Sequence, residues 1–161
     1  MDCFIKAIEK DPTSNVAYYF IGLEYYFSEK YTEAAESFQK SIELDPEYPF
    51  AYNGLADVCY HVGLTDDAIE NYKKSIELDP RIQDSYYGIA KIYYDIGLTG
   101  DAIKNYKKAI EIDPEYAVAY FDLAKIYYHL GKISEAKKNY KKAIEVNPEI
   151  SEDGLEGLFY S

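Results

Sequence analysis

A period of 34 residues constrains this chain more strongly than any other feature of its sequence. Four related segments, "SFQKSIELDP", "NYKKSIELDP", "NYKKAIEIDP" and "NYKKAIEVNP", begin at Ser37, Asn71, Asn105 and Asn139. Prolines keep the same step along the chain, at Pro12, Pro46, Pro80, Pro114 and Pro148. A regular period of this length predicts small supersecondary units that bury their apolar faces only by stacking on one another.

Each unit contains two helical patterns separated by a glycine. In the third unit the first pattern recurs at i, i+3, i+4 and i+7, with Tyr86, Ile89, Ala90 and Tyr93 on one helix face. The second pattern consists of Ala102, Tyr106, Ala109 and Ile110. The intervening glycine is typical of a helix that ends in left-handed geometry, at Gly63, Gly97 and Gly131. Asp-Pro then closes the second helix, because a residue before proline avoids helical geometry. Each unit is therefore predicted to be a helical hairpin.

These residues resemble the tetratricopeptide repeat, whose pattern is W-x2-L-G-x2-Y, then A-x3-F, then P, over about 34 residues. The tryptophan position holds Tyr18, Tyr52, Tyr86 and Tyr120, and the leucine position holds Ile21, Leu55, Ile89 and Leu123. The alanine position is intact at Ala34, Ala68, Ala102 and Ala136. The resemblance covers residues 15–148. It implies an all-α fold, a right-handed α-solenoid of antiparallel helix pairs, whose first helices line a concave groove for partner peptides.

No linker interrupts the period, so residues 1–161 are predicted to form a single domain. Its complete units are repeat 1 (15–48), repeat 2 (49–82), repeat 3 (83–116) and repeat 4 (117–150). Residues 1–14 align with the second helix of a partial repeat, and Phe4 falls where Phe38 does. Residues 151–161 are expected to be the truncated first helix of a further repeat.

The stripe of each first helix that lies opposite the signature residues is expected to face the groove. In repeat 1 this stripe contains Val16, Tyr19, Phe20, Leu23, Tyr26 and Phe27, and in repeat 2 Phe50, Asn53, Asp57, Tyr60 and His61. In repeat 3 it contains Asp84, Tyr87, Lys91, Tyr94 and Asp95, and in repeat 4 Val118, Phe121, Lys125, Tyr128 and His129. The small or aliphatic residues beside the stripe, Ala51, Val58 and Val62, are expected to contact neighbouring helices.

The first helix of repeat 1, "NVAYYFIGLEYYF", is apolar on all sides and carries one charge, Glu24. It is too short to span a bilayer, which needs roughly 20 apolar residues, so no membrane insertion is expected. An exposed apolar face of this kind usually marks an interface. Three kinds of cover remain open: residues 1–10 of the same chain, a partner segment in the groove, or another copy of the chain.

The net charge of −12 disfavours a nucleic-acid partner, because a phosphate backbone is repelled. Repeat 1 contains seven acidic and two basic residues, a net charge of −5, whereas repeat 4 contains four and six, a net charge of +2. This uneven charge is compatible either with a solvated surface or with head-to-tail contacts between chains.

No catalytic, cofactor or metal site is expected, because no phosphate loop, nucleophile motif or zinc signature is present. His61 and His129 hold the same position two repeats apart, which is too distant to share a metal. Cys3 and Cys59 form neither a disulfide framework nor a metal motif, which favours a reducing, cytoplasmic setting. Cys59 is expected to be a buried thiol.

The function expected from the sequence is a non-enzymatic scaffold that binds a protein segment in its groove. Some tetratricopeptide proteins grip a C-terminal carboxylate with Lys, Arg and Asn, but the matching positions here hold Tyr19, Leu23, Gly54, Asp84 and Gly88. The aromatic groove suits an apolar or amphipathic segment, including a helix. The alternative is a self-assembling structural scaffold, a homo-oligomer joined through head-to-tail or repeat 1 contacts.

Overall fold

The computed structural model describes Phe4 and residues 11–150. Eight α-helices follow one another in residues 11–150: α1 Asn15–Phe27, α2 Tyr31–Leu44, α3 Pro49–His61, α4 Thr65–Leu78, α5 Gln83–Asp95, α6 Thr99–Ile112, α7 Ala117–His129 and α8 Ile133–Val146. A short 3₁₀ helix follows at Pro148–Ile150. No strand occurs in this described part, which confirms the all-α fold. The expectations for residues 1–3, 5–10 and 151–161 lie outside the described residues.

The turn inside each hairpin depends on one residue with positive φ. Gly63 and Gly97 have φ of 83°, and Gly131 has φ of 71°, as the sequence pattern predicts. In repeat 1 the corresponding turn uses Glu29 at φ 59°, a conformation that costs more for a residue with a side chain. Each second helix ends at an extended residue before proline: Asp45, Asp79, Asp113 and Asn147.

The core runs along the stack and is built from small and aromatic side chains in alternation. The signature alanines are fully buried, at Ala34, Ala68, Ala102 and Ala136. The aromatic residue one turn later is also buried, at Phe38, Tyr72, Tyr106 and Tyr140. Ala51 and Val58 are buried as expected, but Val62 is half exposed because it follows the last residue of α3. Small side chains let the helices approach closely, and the rings fill the gaps between repeats.

The aromatic rings of the second helices of repeats 1 and 2 pack against the first helix of the following repeat. A Cβ atom added to Gly54 would lie 2.6 Å from Phe38, and one added to Gly88 would lie 2.2 Å from Tyr72. In repeat 1 the same position holds Phe20, whose ring stacks on Phe4 with centroids 4.9 Å apart and planes at 10°. The ring of one repeat thus sets how closely the next repeat can approach.

Candidate partner-binding groove

The first helices of the repeats, α1, α3, α5 and α7, lie side by side and form the surface that we call the groove. Contacts join α1 to α3 and α3 to α5 directly, while the second helices lie in the outer layer. Every residue of the predicted stripes keeps some exposure to solvent in this structure. The most exposed are Val16, Phe20, Phe27, Phe50, His61, Asp84, Asp95, Val118 and His129. The remaining stripe residues are half-buried.

A tyrosine ladder runs along the groove, formed by Tyr26, Tyr60, Tyr94 and Tyr128. The Tyr60 hydroxyl donates to Asp95 Oδ2 at 2.6 Å, and the Tyr94 hydroxyl and His129 Nδ1 share a hydrogen bond at 2.8 Å. The ring of Tyr26 meets His61 edge-on, with centroids 5.3 Å apart. Each of these contacts joins a ladder tyrosine to the residue 35 positions later, so it links one repeat to the next.

The hydroxyls of Tyr26 and Tyr60 remain protonated at neutral pH. Burial raises the pKa of Tyr60 to about 12, and the hydrogen bond to Asp95 acts in the same direction. Burial likewise raises the pKa of Tyr26 to about 12. These hydroxyls can therefore donate hydrogen bonds, and they add no charge to the groove.

An aromatic cluster covers the repeat 1 end of the groove; its members are Tyr19, Phe20, Tyr48 and Phe50. The ring of Tyr19 lies 5.3 Å from Phe20, 5.5 Å from Tyr48 and 6.3 Å from Phe50. Burial raises the pKa of Tyr19 to about 12. Phe20 and Phe50 remain 38% and 43% exposed, although Phe4 covers one face of the Phe20 ring. Val16 beside it is 41% exposed.

Carboxylates dominate the middle of the groove. Asp57 accepts a short hydrogen bond from the Tyr72 hydroxyl, and Asp84 Oδ1 accepts one from Tyr116 at 2.7 Å. Burial raises the pKa of Asp57 to about 6, and the nearby charge of Asp84 acts in the same direction. This part of the groove therefore concentrates negative charge in a half-buried setting.

The two lysines of the groove hold different partners. Lys91 Nζ lies 4.8 Å from the ring centroid of Tyr60 and 5.8 Å from that of Tyr87, which are cation–π contacts. Lys125 Nζ pairs with Asp122 Oδ1 at 3.2 Å and also lies 5.6 Å from the ring centroid of Phe121. The Tyr87 hydroxyl donates to the other oxygen of Asp122, at 2.9 Å. In repeat 4 the charge of Asp122 is therefore neutralised by Lys125. In repeats 2 and 3 the groove has three carboxylates, Asp57, Asp84 and Asp95, and one lysine, Lys91.

Sequence reasoning missed the groove partners that lie outside the first-helix stripes. Tyr72 and Tyr106 come from second helices, and Tyr48 and Tyr116 come from the loops before α3 and α7. Their hydroxyls or rings nevertheless contact residues of the first helices. One signal was present, because Tyr48 and Tyr116 hold the same position two repeats apart.

A cavity of about 660 Å³ lies outside the groove, between α6, α7 and α8. Long side chains form its walls, and two of its lysines, Lys141 and Lys142, pair with Glu145. Related cavities lie beside Tyr86 and beside Tyr18 in repeats 3 and 1. Because the cavity recurs with the repeat and opens between solvated side chains, it follows from repeat packing and does not mark a particular site.

Metal ligands and membrane-spanning helices are other features that could mark a functional site in the described residues. No group of three or more His, Cys, Asp or Glu side chains there could hold a metal ion. Within that same part of the chain, no helix is both long enough and apolar enough to cross a bilayer. Cys59 is a buried free thiol, as expected, and burial raises its pKa.

Comparisons with known proteins agree with this architecture. A family model described as "TPR repeat" matches residues 22–63, 57–97 and 92–131. A second model, described as "Tetratricopeptide repeat", matches residues 117–150. The chain therefore belongs to the tetratricopeptide repeat family, whose fold is that of a scaffold for protein interactions. A search of curated proteins finds no match.

Two solved structures illustrate the similarity. The crystal structure of MamA is 28% identical with a TM-score of 0.74, and the match covers 92% of this chain and 86% of that one. TTC0263, a thermophilic TPR protein in Thermus thermophilus, is 24% identical with a TM-score of 0.75, and the match covers 85% of this chain and 77% of that one. At that lower identity, TTC0263 supports the fold alone.

Proposed function

We propose that this protein is a non-catalytic scaffold that binds an apolar or amphipathic segment of a partner protein along its groove. The observation that carries the proposal is the open apolar surface of the first helices. Phe20 and Phe50 are 38% and 43% exposed, and Phe27 at the end of α1 is 78% exposed. Apolar side chains that adjoin one another on an open surface usually mark an interaction site.

The groove combines this apolar area with directional groups. Tyrosine rings offer contact area at low cost in conformational entropy, and they are enriched at the centres of protein interfaces. Tyr26, Tyr60 and Tyr94 are already held by contacts between repeats, so little further ordering of these side chains is needed when a partner binds. A rigid aromatic surface of this kind favours a partner with apolar side chains on one face.

A peptide selection tests the proposal. The full chain is immobilised and used to select peptides of about 12 residues, long enough to cross several repeats, from a displayed random library. Enriched peptides should bind the chain in solution, and Phe20→Ser with Phe50→Ser should weaken that binding at least tenfold. Ile96→Ser is the matched control, because Ile96 is equally apolar and 52% exposed but follows α5 in a turn. An absence of enriched peptides, or equal losses in both variants, would refute the groove as the binding surface.

Self-assembly is a second candidate function, and the exposure of Phe27 favours it. A ring that is 78% exposed beside Tyr26 offers an anchor for another copy of the chain. Light scattering over a range of protein concentrations tests this function. Self-assembly predicts a mass that rises with concentration and falls again in Phe27→Ser, whereas a constant monomer mass would eliminate it. The proposed location is the cytoplasm, in keeping with the buried free thiol of Cys59.

A further inference from the structure

The middle of the groove differs from its two ends in charge. Asp57, Asp84 and Asp95 lie on α3 and α5, and Lys91 is the lysine of this region. The aromatic cluster at the repeat 1 end carries no formal charge, and at the repeat 4 end Lys125 pairs with Asp122. Negative charge is therefore concentrated between an apolar end and a neutralised end.

The carboxylates of this middle region are positioned and retain capacity to accept hydrogen bonds. Tyr116 donates to one oxygen of Asp84, and Tyr60 donates to one oxygen of Asp95. Tyr72 donates in the same way to Asp57. An ionised carboxylate has about four lone-pair sites on its two oxygens, so each can accept from a further donor. The tyrosines thus orient the carboxylates without neutralising them.

Lys91 shows what kind of group this region accommodates. Its ammonium lies over the face of Tyr60 and within reach of Tyr87, at 4.8 and 5.8 Å from the ring centroids. Cations are attracted to the faces of such rings, and more strongly when they are shielded from water. The groove thus already holds one cation, the Lys91 ammonium, between two tyrosine rings. The three carboxylates of this region outnumber that one positive charge.

We propose that the segment bound in the groove is basic as well as apolar, with a lysine or arginine in the middle of the groove and an apolar side chain on the aromatic cluster. The cation lies between Asp57 and Asp84, and its hydrogen bonds go to their carboxylate oxygens. This inference rests on the groove function proposed above and specifies the partner. The partner's cation relieves the repulsion between these two carboxylates, which the charge of Lys91 offsets only in part in the free protein.

The spacing of the two anchors follows from the repeat. The cluster lies between α1 and α3, and the carboxylates lie between α3 and α5, so the sites are one helix apart, or roughly 8–10 Å. An extended segment covers this distance in about three residues, at about 3.3 Å each. A helix covers it in about six residues, at about 1.5 Å each.

The test uses the same peptide selection on the full chain, followed by fluorescence anisotropy with a synthetic copy of the most enriched peptide. Enriched peptides should carry Lys or Arg at one of these two spacings from an aromatic or aliphatic residue. Asp57→Asn combined with Asp84→Asn should weaken binding at least tenfold. Asparagine retains an oxygen that can accept from Tyr72 or Tyr116, so the fold is kept.

The matched control combines Glu70→Gln with Glu111→Gln, which removes two charges from exposed positions of the outer helices. This control should change the affinity less than twofold. Enriched peptides without basic residues, or equal losses in both double variants, would overturn the basic partner while leaving the groove function intact. No enrichment at all would refute both proposals. In that case, a mass that rises with concentration would favour the self-assembly considered above, and a constant monomer mass would eliminate it as well.

Discussion

Repeat 1 and repeats 2 to 4 share one backbone plan but present different chemistry to the groove. At one equivalent position repeat 1 has Leu23, whereas the later repeats have Asp57, Lys91 and Lys125. At another it has Phe27, whereas the later repeats have His61, Asp95 and His129. The signature residues that build the hairpin are unaffected by these changes. The comparison teaches that groove chemistry can vary from repeat to repeat while the residues that build the hairpin stay the same.

The contacts between repeats change with these substitutions. Tyr26 meets His61 through its ring, whereas Tyr60 and Tyr94 contact the following repeat through hydrogen bonds. The position that receives the preceding ring also differs, with Phe20 in repeat 1 and glycine at Gly54 and Gly88. In repeat 1 the Phe20 ring stacks face to face on Phe4. In repeats 2 and 3 the ring of the preceding repeat instead occupies the space beside Gly54 or Gly88 that a side chain would fill.

The largest expected effect on stability comes from adding a side chain at Gly88, in the space that the Tyr72 ring occupies. Gly88→Ala places a Cβ 2.2 Å from Tyr72, which is buried and bonded to Asp57, so the ring or the helix must shift. We expect the free energy of unfolding to fall by about 1–3 kcal/mol, as measured by urea denaturation. Gly100→Ala is the control, since nothing beyond its chain neighbours and its own helix backbone lies within 4 Å of the added Cβ. It should be neutral or raise stability by up to about 1 kcal/mol. Equal effects of the two substitutions would contradict the ring-insertion account.

The next prediction concerns Asp57, where repeat 1 has Leu23. Burial raises the pKa of folded Asp57 to about 6 from its ordinary value of 3.8, so the folded protein binds this proton more tightly than the unfolded chain. Its contribution to stability is therefore complete below about pH 4 and is lost as pH rises through about 6. Asp57→Asn should be about 1–3 kcal/mol more stable than the parent at pH 7 and equally stable at about pH 4.

Urea denaturation at several values between about pH 4 and pH 7 measures this difference. The exposed control Glu70→Gln should follow the parent at every pH. A constant difference between Asp57→Asn and the parent, or one that shrinks toward neutral pH, would show that the carboxyl is not destabilised by burial. A gain in stability together with a loss of basic peptide binding would mean that Asp57 is retained for binding at a cost to the fold.

The smallest expected effect involves a serine of the second helices. Ser41 Oγ is buried and lacks a hydrogen-bond partner among the described residues, whereas Ser75 Oγ in repeat 2 accepts from Ser85 Oγ at 2.9 Å. Repeats 3 and 4 have buried alanine at this position, Ala109 and Ala143. Ser41→Ala should raise the free energy of unfolding by about 0.5–1.5 kcal/mol, because an unsatisfied hydroxyl is removed. Ser75→Ala should lower it by a similar amount. Thermal denaturation compares the two variants, and a shift of both in the same direction would contradict this difference between the serines.

Much of the fold follows from local patterns in the sequence. The period predicts the helical hairpins, and Gly63, Gly97 and Gly131 adopt the left-handed geometry that their places imply. The signature alanines are buried as expected. The sequence also shows that α1 is apolar all round, and Phe20 and Phe27 are indeed exposed. These features were predictable because each depends on residues within one or two helical turns.

The partners within the groove were less accessible to sequence reasoning. Helical periodicity places Asp57 on the groove side of α3, but it does not show that Tyr72 of α4 reaches it. It likewise gives no sign that Tyr48, from a loop, completes a cluster around Tyr19. Helical periodicity predicts which side chains share one face of a helix. It does not predict which side chains of different helices touch, because those contacts depend on how the helices are rotated against each other.

The sequence by itself therefore determined the helical hairpins of residues 11–150 and the residues that pack inside each of them. Tertiary structure alone decided which side chains meet across repeats, such as Tyr60 with Asp95 and Phe4 with Phe20. The physical reason lies in how repeats stack. A helix face is set by a period of about 3.6 residues, whereas the offset between two repeats is set by the volumes of the rings packed between them.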